Sequence, residues 1–402
     1  MIPHCAFPVP PQRTLNDRFR SDFSRRRFLQ LLSATAMLTS TASGPSDASG
    51  PSDARDPGPG SRFEPAIAPL EDVVRSGQIR GAAVYVRQGN EEAWWFLGES
   101  TSADDPFLIA SITKTMAVAA VLTLVDSGEL DLSRPVVDYL PEFGGQDRRD
   151  VKVWQLMTHV SGLPDQVANN SALRAAHAPL SAFVAEAVKA PLAFAPGTAY
   201  SYSSMAILLA SEIGRRISKL PIDQFVDKVI FKPLEMKSAS FGLGGRDLSK
   251  FMKVQTEHAA PESGAGAASA KDWDWNSPYW RNLGAPWGGG HASAHDVGRF
   301  MWEAMHPSGK VMKESTWRLM TTNQNPPGVT PRGLGFGVGK AMSHRRASPQ
   351  TFGHTGSTGT IAWADPATDT VCVILTTLPG TAMSPHPRQA VSDRVGEIAG
   401  AR

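Results

Sequence analysis

Phe107-Leu108-Ile109-Ala110-Ser111-Ile112-Thr113-Lys114 runs directly into an apolar stretch that ends at Gly128. Met116, Ala117, Ala120, Val121, Leu124 and Val125 recur there at helical spacing, so a helix begins near Ser111 and stops at the glycine. Ser111 and Lys114, at i and i+3, then share one face at the start of that helix. A serine hydroxyl is a weak nucleophile until a neighbouring base takes its proton. Lysine can serve as that base where desolvation or nearby charge favours the neutral amine. A helix start also offers N–H groups and partial positive charge to a developing oxyanion. The tetrad Ser-x-x-Lys occurs once in the chain, as chance alone would allow, and its plainer reading is an N-cap serine with an exposed lysine.

Working outward, Gly81 to Arg87 and Ala93 to Leu97 are apolar runs around Gly89-Asn90, which predicts a hairpin. From Leu132 to about Pro233 the pattern is helical, with segments at Val153 to Met157, Ser181 to Lys189 and Ser204 to Ile217. Residues 240–290 are rich in Gly, Pro and Trp and predict long surface loops. Ser293-Ala294-His295-Asp296 reads as a capping box for a helix over Val297 to Met305. Strand character returns in Thr360 to Ala364 and Val371 to Thr377, joined through Asp365-Pro366, before a helix near Arg388 to Ile398. The expected fold is therefore α/β of the α+β kind: an antiparallel sheet built from both chain ends, flanked by helices, with an inserted, mainly helical lobe.

At 402 residues and 41% hydrophobic content the chain can bury a full core. A net charge of +2 provides no global field for nucleic acid, so no nucleic-acid partner is expected. The excess basicity sits in the first 42 residues, with six arginines against Asp17 and Asp22. There Ser24-Arg25-Arg26-Arg27-Phe28-Leu29-Gln30 precedes the apolar run Leu31 to Leu38, an arrangement similar to a twin-arginine export signal; the alternative is a basic, disordered tail. That run is too short to span a bilayer, so no stable membrane span is expected. Residues 1–43 read as the signal, 44–62 as a flexible linker in which Gly-Pro-Ser-Asp-Ala occurs twice, and 63–402 as one domain. An exported, periplasmic or extracellular location follows from the signal. Cys5 would leave with it, and Cys372, in a strand-like run, reads as a buried packing residue.

Further segments follow the Ser111 tetrad in order: Gly128-Glu129-Leu130-Asp131-Leu132, Tyr139-Leu140-Pro141, Leu156 to Leu163, Pro196-Gly197-Thr198 with Tyr200-Ser201-Tyr202-Ser203-Ser204, Gly289-Gly290 with Ser293 and Asp296, and Gly353 to Gly359 before Asp365-Pro366. Together they resemble the serine β-lactamase and penicillin-binding-protein superfamily over residues 64–400, particularly its branch of class C β-lactamases, D-alanyl-D-alanine carboxypeptidases and related esterases. The resemblance implies a β-lactamase/transpeptidase-like fold, no cofactor and no metal. It makes Ser111 the nucleophile, Lys114 its proton partner and Tyr202 a second acid/base group. It places His354 on an edge strand of the opposite wall, with Ser204, Gly356 and Ser357 beside the substrate and the N–H groups of Ser111 and Ser357 as the oxyanion hole.

Two positions depart from the family pattern. Ser204 stands where asparagine is frequent, and His354 replaces the lysine of the third motif, so a fixed positive charge is only partly available near neutral pH. Both changes weaken a β-lactamase reading and favour an acyl-enzyme hydrolase of esters, small amides or peptides. A D-Ala-D-Ala carboxypeptidase, a β-lactamase and a non-catalytic binder of cell-wall peptides are the competing readings. Tyr200 is the alternative to Tyr202, and His159 reads as structural. His291 and His295 straddle a helix start and do not share a metal-binding face. Trp273, Trp275, Trp280 and Trp287 either wall a cleft or pack the loops. Oligomeric state cannot be read from the sequence.

Overall fold

A computed structural model describes residues 61–401, apart from 146, 341 and 342. The export-signal-like segment, Cys5 and all but the last two residues of the linker lie outside the described residues. In chain order the helices are α1 (Glu64–Arg75), α2 (Thr113–Asp126), α3 (Val153–Met157), α4 (Asn170–Ala175), α5 (Leu180–Ala187), α6 (Ser204–Ser218), α7 (Ile222–Val226), α8 (Pro278–Leu283), α9 (Ala294–Met305), α10 (Glu314–Thr321) and α11 (Pro387–Ala399). The strands are β1 (Gly81–Gln88), β2 (Glu91–Gly98), β3 (Phe107–Leu108), β4 (Ser240–Phe241), β5 (Gly290–Ala292), β6 (Gly337–Val338), β7 (Phe352–Gly356), β8 (Thr360–Asp365) and β9 (Thr370–Thr376).

The predicted hairpin forms, and Gly89 supplies the positive φ (58°) that its tight turn requires. An antiparallel sheet of order β2-β1-β9-β8-β7-β6 joins the two ends of the described chain, with Ala82 opposite Thr376. Alternation along its strands builds two apolar faces. Ala82, Val84 and Val86 of β1, with Trp363 of β8 and Ile374 of β9, pack under α1 and α11. Cys372 is buried in this layer, where desolvation pushes its thiol far above the usual range. Across the opposite face runs α9, where a Cβ at Gly298 would stand 2.3 Å from the Tyr85 ring. Helix α1 escapes sequence reading because Pro65 and Pro69 interrupt its pattern, yet Ala66, Ile67 and Leu70 face the core at helical spacing.

Between the sheet-forming ends lies the expected helical lobe, with α2 packed on α6 and α6 on α3, α5 and α7. Most of α2 is buried on every side, as a central helix must be. Residues 240–290 are not simply surface loops. They supply β4, α8 and the start of β5, and a small sheet β3-β5-β4 pairs Phe107 with Ala292 and Ser240 with His291. Trp275, Trp280 and Trp287 are buried. Among the described residues no helix is long and apolar enough to cross a membrane.

Ser293 caps α9, its Oγ accepting the Asp296 N–H at 3.1 Å. The predicted return bond of a capping box is replaced: Asp296 Oδ2 accepts the Ser238 N–H at 2.8 Å. Burial, with Asp104 nearby, pushes the Asp296 carboxyl up to about 7. An unfolded carboxyl ionises near pH 4, so between about pH 4 and about pH 7 the unfolded chain releases this proton while the folded chain keeps it. Stability contributed by this group therefore falls as pH rises through that window. Asp296→Asn retains an acceptor for Ser238, and thermal melts should show its Tm gaining on wild type between about pH 4.5 and about pH 8. An unchanged Tm difference at the two pH values would refute the shift.

Candidate active site

The tetrad straddles two helical forms. Ala110-Ser111-Ile112 make one 3-10 turn and α2 continues from Thr113. Ala110 carries a left-handed φ of 45°, a strained conformation for a residue with a side chain, and the chain turns sharply there. Its neighbours are tied on both sides. The Ile109 N–H donates to Gly290 O and the Gly290 N–H to Thr113 Oγ1, each at 3.0 Å. From the sheet, Thr358 Oγ1 donates to Leu108 O at 2.7 Å and Thr360 Oγ1 to Ile109 O at 3.1 Å. Gly356 permits that approach, since a Cβ there would stand 2.6 Å from Ile109 O and 2.1 Å from Thr360 Oγ1.

Lys114 is 1% exposed. Its Nζ donates to Ser111 Oγ at 3.1 Å and to the carbonyl of Trp287 at 2.6 Å, and stands 4.8 Å from the centre of the Tyr202 ring. Tyr202 lies just before α6, which Ser203 caps through the Ala206 N–H at 2.9 Å. The Ser204 N–H donates to Asp165 Oδ1 at 2.8 Å. Ser111, Lys114, Tyr202, Ser204 and Ser357 thus border one cavity of about 130 Å³, together with Arg174, Glu262, Trp275, Trp280 and Trp287. Three of the four tryptophans therefore both wall the cavity and pack its loop.

His354 and Gly356 do not border this cavity. The His354 ring is buried on β7, 6.1 Å from the Tyr202 ring, at a level where β6, which pairs only with Phe352 and Gly353, no longer covers the strand. Burial and the adjacent Arg332 guanidinium hold its imidazole well below the usual range, so it is neutral at physiological pH. His159 is likewise held neutral by burial, and its ring centre is 4.6 Å from that of Tyr202. Its Nδ1 accepts the Ser203 N–H at 3.2 Å, the structural role expected of it. Tyr200 lies edge-on to His159, and burial raises its phenol. His291 is buried on β5 with Nδ1 3.0 Å from Gly242 O, whereas His295 packs against Tyr85 and Trp94. A larger cavity of about 680 Å³, bordered by Leu180, Val184, Leu208 and Pro286, also has Ser211 and Lys189 on its lining, but Ser211 Oγ donates to Ile207 O at 2.8 Å and Lys189 Nζ lies 3.9 Å from Glu186, so the hydrogen-bonded serine–lysine pair of the smaller cavity makes that one the candidate.

Sequence reasoning missed Arg174, Arg332 and the Trp287 carbonyl. Arg174 sits 4.0 Å over the Trp280 ring, and burial lowers its guanidinium to about 10. A lone arginine between Pro331 and Gly333 in a glycine-rich stretch was the available signal for Arg332. A backbone carbonyl leaves no signal in a sequence.

A sheet made from both chain ends, a helical lobe, and a serine–lysine pair in the cavity between them define the class of the β-lactamase-related serine hydrolases. The family model described as Beta-lactamase matches residues 63–394, and the chain belongs to that family; it is a serine hydrolase. A putative D-alanyl-D-alanine carboxypeptidase of Salmonella agona is 27% identical over 299 residues, covering 66% of this chain and 68% of that protein. A penicillin-binding-protein homologue from Caulobacter crescentus has a similar fold, with a TM-score of 0.68 at 21% identity over 84% of this chain and 98% of the other. A family VIII carboxylesterase also gives 0.68, at 20% identity over 84% and 96% of the two chains. These two likenesses establish the fold.

Replacing Gly356 by alanine forces the end of β7 away from Ile109. Overpacking at such a contact costs about 1–3 kcal/mol. Gly356→Ala should therefore lower stability by that amount in denaturant titration and reduce hydrolytic activity at least about tenfold at a temperature where it stays folded. Unchanged hydrolysis would show that the approach of β7 to Ile109 does not align the site.

Proposed function

We propose that this protein forms an acyl-enzyme on Ser111 and hydrolyses esters or small amides. The observation that carries the reading is the buried Lys114 Nζ, 3.1 Å from Ser111 Oγ and oriented by the Trp287 carbonyl. A non-catalytic binding protein has no need of such a pair.

In this mechanism the Ser111 proton passes to the Lys114–Tyr202 pair as Oγ attacks the acyl carbon. The backbone N–H groups of Ser111 and Ser357 stabilise the oxyanion. Tyr202 then protonates the leaving alkoxide or amine, and a water activated by the same pair releases the acid. Ser204, with a shorter side chain than asparagine, lines the acyl side, and Gly356 keeps β7 close. The neutral His354 provides no surface cation for a β-lactam carboxylate, which supports the ester reading. The carboxypeptidase name of the Salmonella agona relative favours a second reading, a D-Ala-D-Ala peptidase. The arginine pair and apolar run near Arg25 support export by the twin-arginine route, residues 44–62 serving as tether to a catalytic domain over 63–402.

A fluorophosphonate probe should label wild type and fail on Ser111→Ala; no wild-type labelling, or equal labelling of the variant, rejects the nucleophile. Lys114→Ala should lose at least about 10³-fold in kcat/KM. In a panel, p-nitrophenyl acetate should exceed nitrocefin and a D-Ala-D-Ala peptide in kcat/KM, and fastest turnover of nitrocefin would reverse the assignment. A kcat/KM flat from about pH 5 to about pH 10 would remove the base role of Lys114 and Tyr202.

A further inference from the structure

Behind Tyr202 stands a cation that the mechanism above does not use. Arg332 is 1% exposed, and among the described residues no carboxylate pairs with it. Its Nη2 lies 3.3 Å from Gly335 O and 3.3 Å from His354 Nε2, while Nε and Nη1 are buried without an acceptor. A buried guanidinium with unpartnered donors is costly, and sites that tolerate one tend to be functional.

The contact with His354 fixes a tautomer. Guanidinium offers donors and no acceptor, so His354 Nε2 must present its lone pair to Arg332. The other nitrogen, Nδ1, then carries the proton and donates it to Thr355 O at 2.7 Å. A second proton on Nε2 would face the Arg332 N–H groups directly.

We infer that Arg332 is a positioning residue: it locks His354 as a neutral Nδ1–H imidazole and, through that ring, sets a permanent positive charge beside the Lys114–Tyr202 pair. This rests on the acid/base reading of that pair given above. A fixed cation favours the form of the pair with one proton removed, which is the form that can accept the Ser111 proton. The other groups around Tyr202 are consistent with that role. His159 and His354 are neutral, Tyr200 is kept as a phenol by burial, and Asp165 is committed to the Ser204 N–H. Arg332 adjoins it, Lys114 Nζ lies 4.8 Å from its ring centre, and Arg174 and Glu262 border the same cavity. The charge that the third motif lacks at His354 is thus supplied one residue deeper, in a form that does not titrate near neutral pH.

Two measurements test this. Long-range ¹H–¹⁵N NMR of the histidines in Ser111→Ala should show His354 as the neutral Nδ1–H tautomer from about pH 5 to about pH 9. An Nε2–H tautomer, or protonation within that range, overturns the inference, and this readout does not depend on Ser111 being the nucleophile. Second, the pH profile of kcat/KM for the uncharged ester p-nitrophenyl acetate is compared for wild type, Arg332→Gln and Arg332→Lys. Arg332→Gln should move the acid limb up by about one pH unit, so that activity falls about tenfold near pH 6 and less than about twofold near pH 9.5, and Arg332→Lys should restore most of it. Equal loss at every pH in both variants would mean a merely structural role. Should Arg332→Gln not fold, Arg332→Lys and the histidine spectrum decide the matter.

Discussion

Two threonine hydroxyls hold two carbonyls, and the position of Ser111 follows from that. Thr358 and Thr360, at the turn between β7 and β8, donate to Leu108 and Ile109 just before Ser111. On its other side the segment is fixed to β5 through Gly290. Ala110 can hold its left-handed backbone only because the residues before and after it are held so firmly. The small residues of this turn have steric reasons. Gly356 allows contact with Ile109, and Gly359, at φ 90°, would with a Cβ run into Leu378 O. The same clamp brings Ser357 to the cavity that holds Ser111, so the packing of the sheet and the meeting of these two residues are one arrangement.

Burial decides which groups carry charge around this cavity. His159 and His354 are enclosed and neutral, while Arg332 is a buried cation with few partners. Arginines also hold the aromatic wall. Arg281 donates to Trp275 O at 2.5 Å and to Met252 O at 3.0 Å, and Arg174 stacks on Trp280. Arg281 and Arg174 organise backbone carbonyls and a ring, a use of arginine that its planar set of donors permits.

Elements with a strong local signal were legible in the sequence. The hairpin showed in its Gly-Asn turn, α2 in its periodic stripe, α3 at its observed limits, and α6 within a residue. The two-ended sheet followed from strand character at both termini. What failed to show was set by tertiary contact. Strands β3, β4 and β5 are two or three residues long and exist through pairing with each other, so no period could mark them. The 240–290 segment looked exposed because glycine, proline and polar residues dilute its tryptophans, whereas Arg281 and the cavity bury them. In the candidate site the ordered motifs led to Ser111, Lys114, Tyr202, Ser204 and Ser357, which do meet. They could not foretell that His354 is enclosed behind Tyr202, because burial belongs to the packed fold.

The pairing of β1 with β9 has a consequence for how the molecule comes into being. Ala82 finds Thr376, and Ser111 finds the turn at Ser357, only after the helical lobe between them has been synthesised. Such long-range closure is slow relative to local helix formation. A nascent chain that has not yet reached β7 therefore contains Ser111 and Lys114 without the clamp that aligns them, and that alignment waits until translation has delivered β7, β8 and β9.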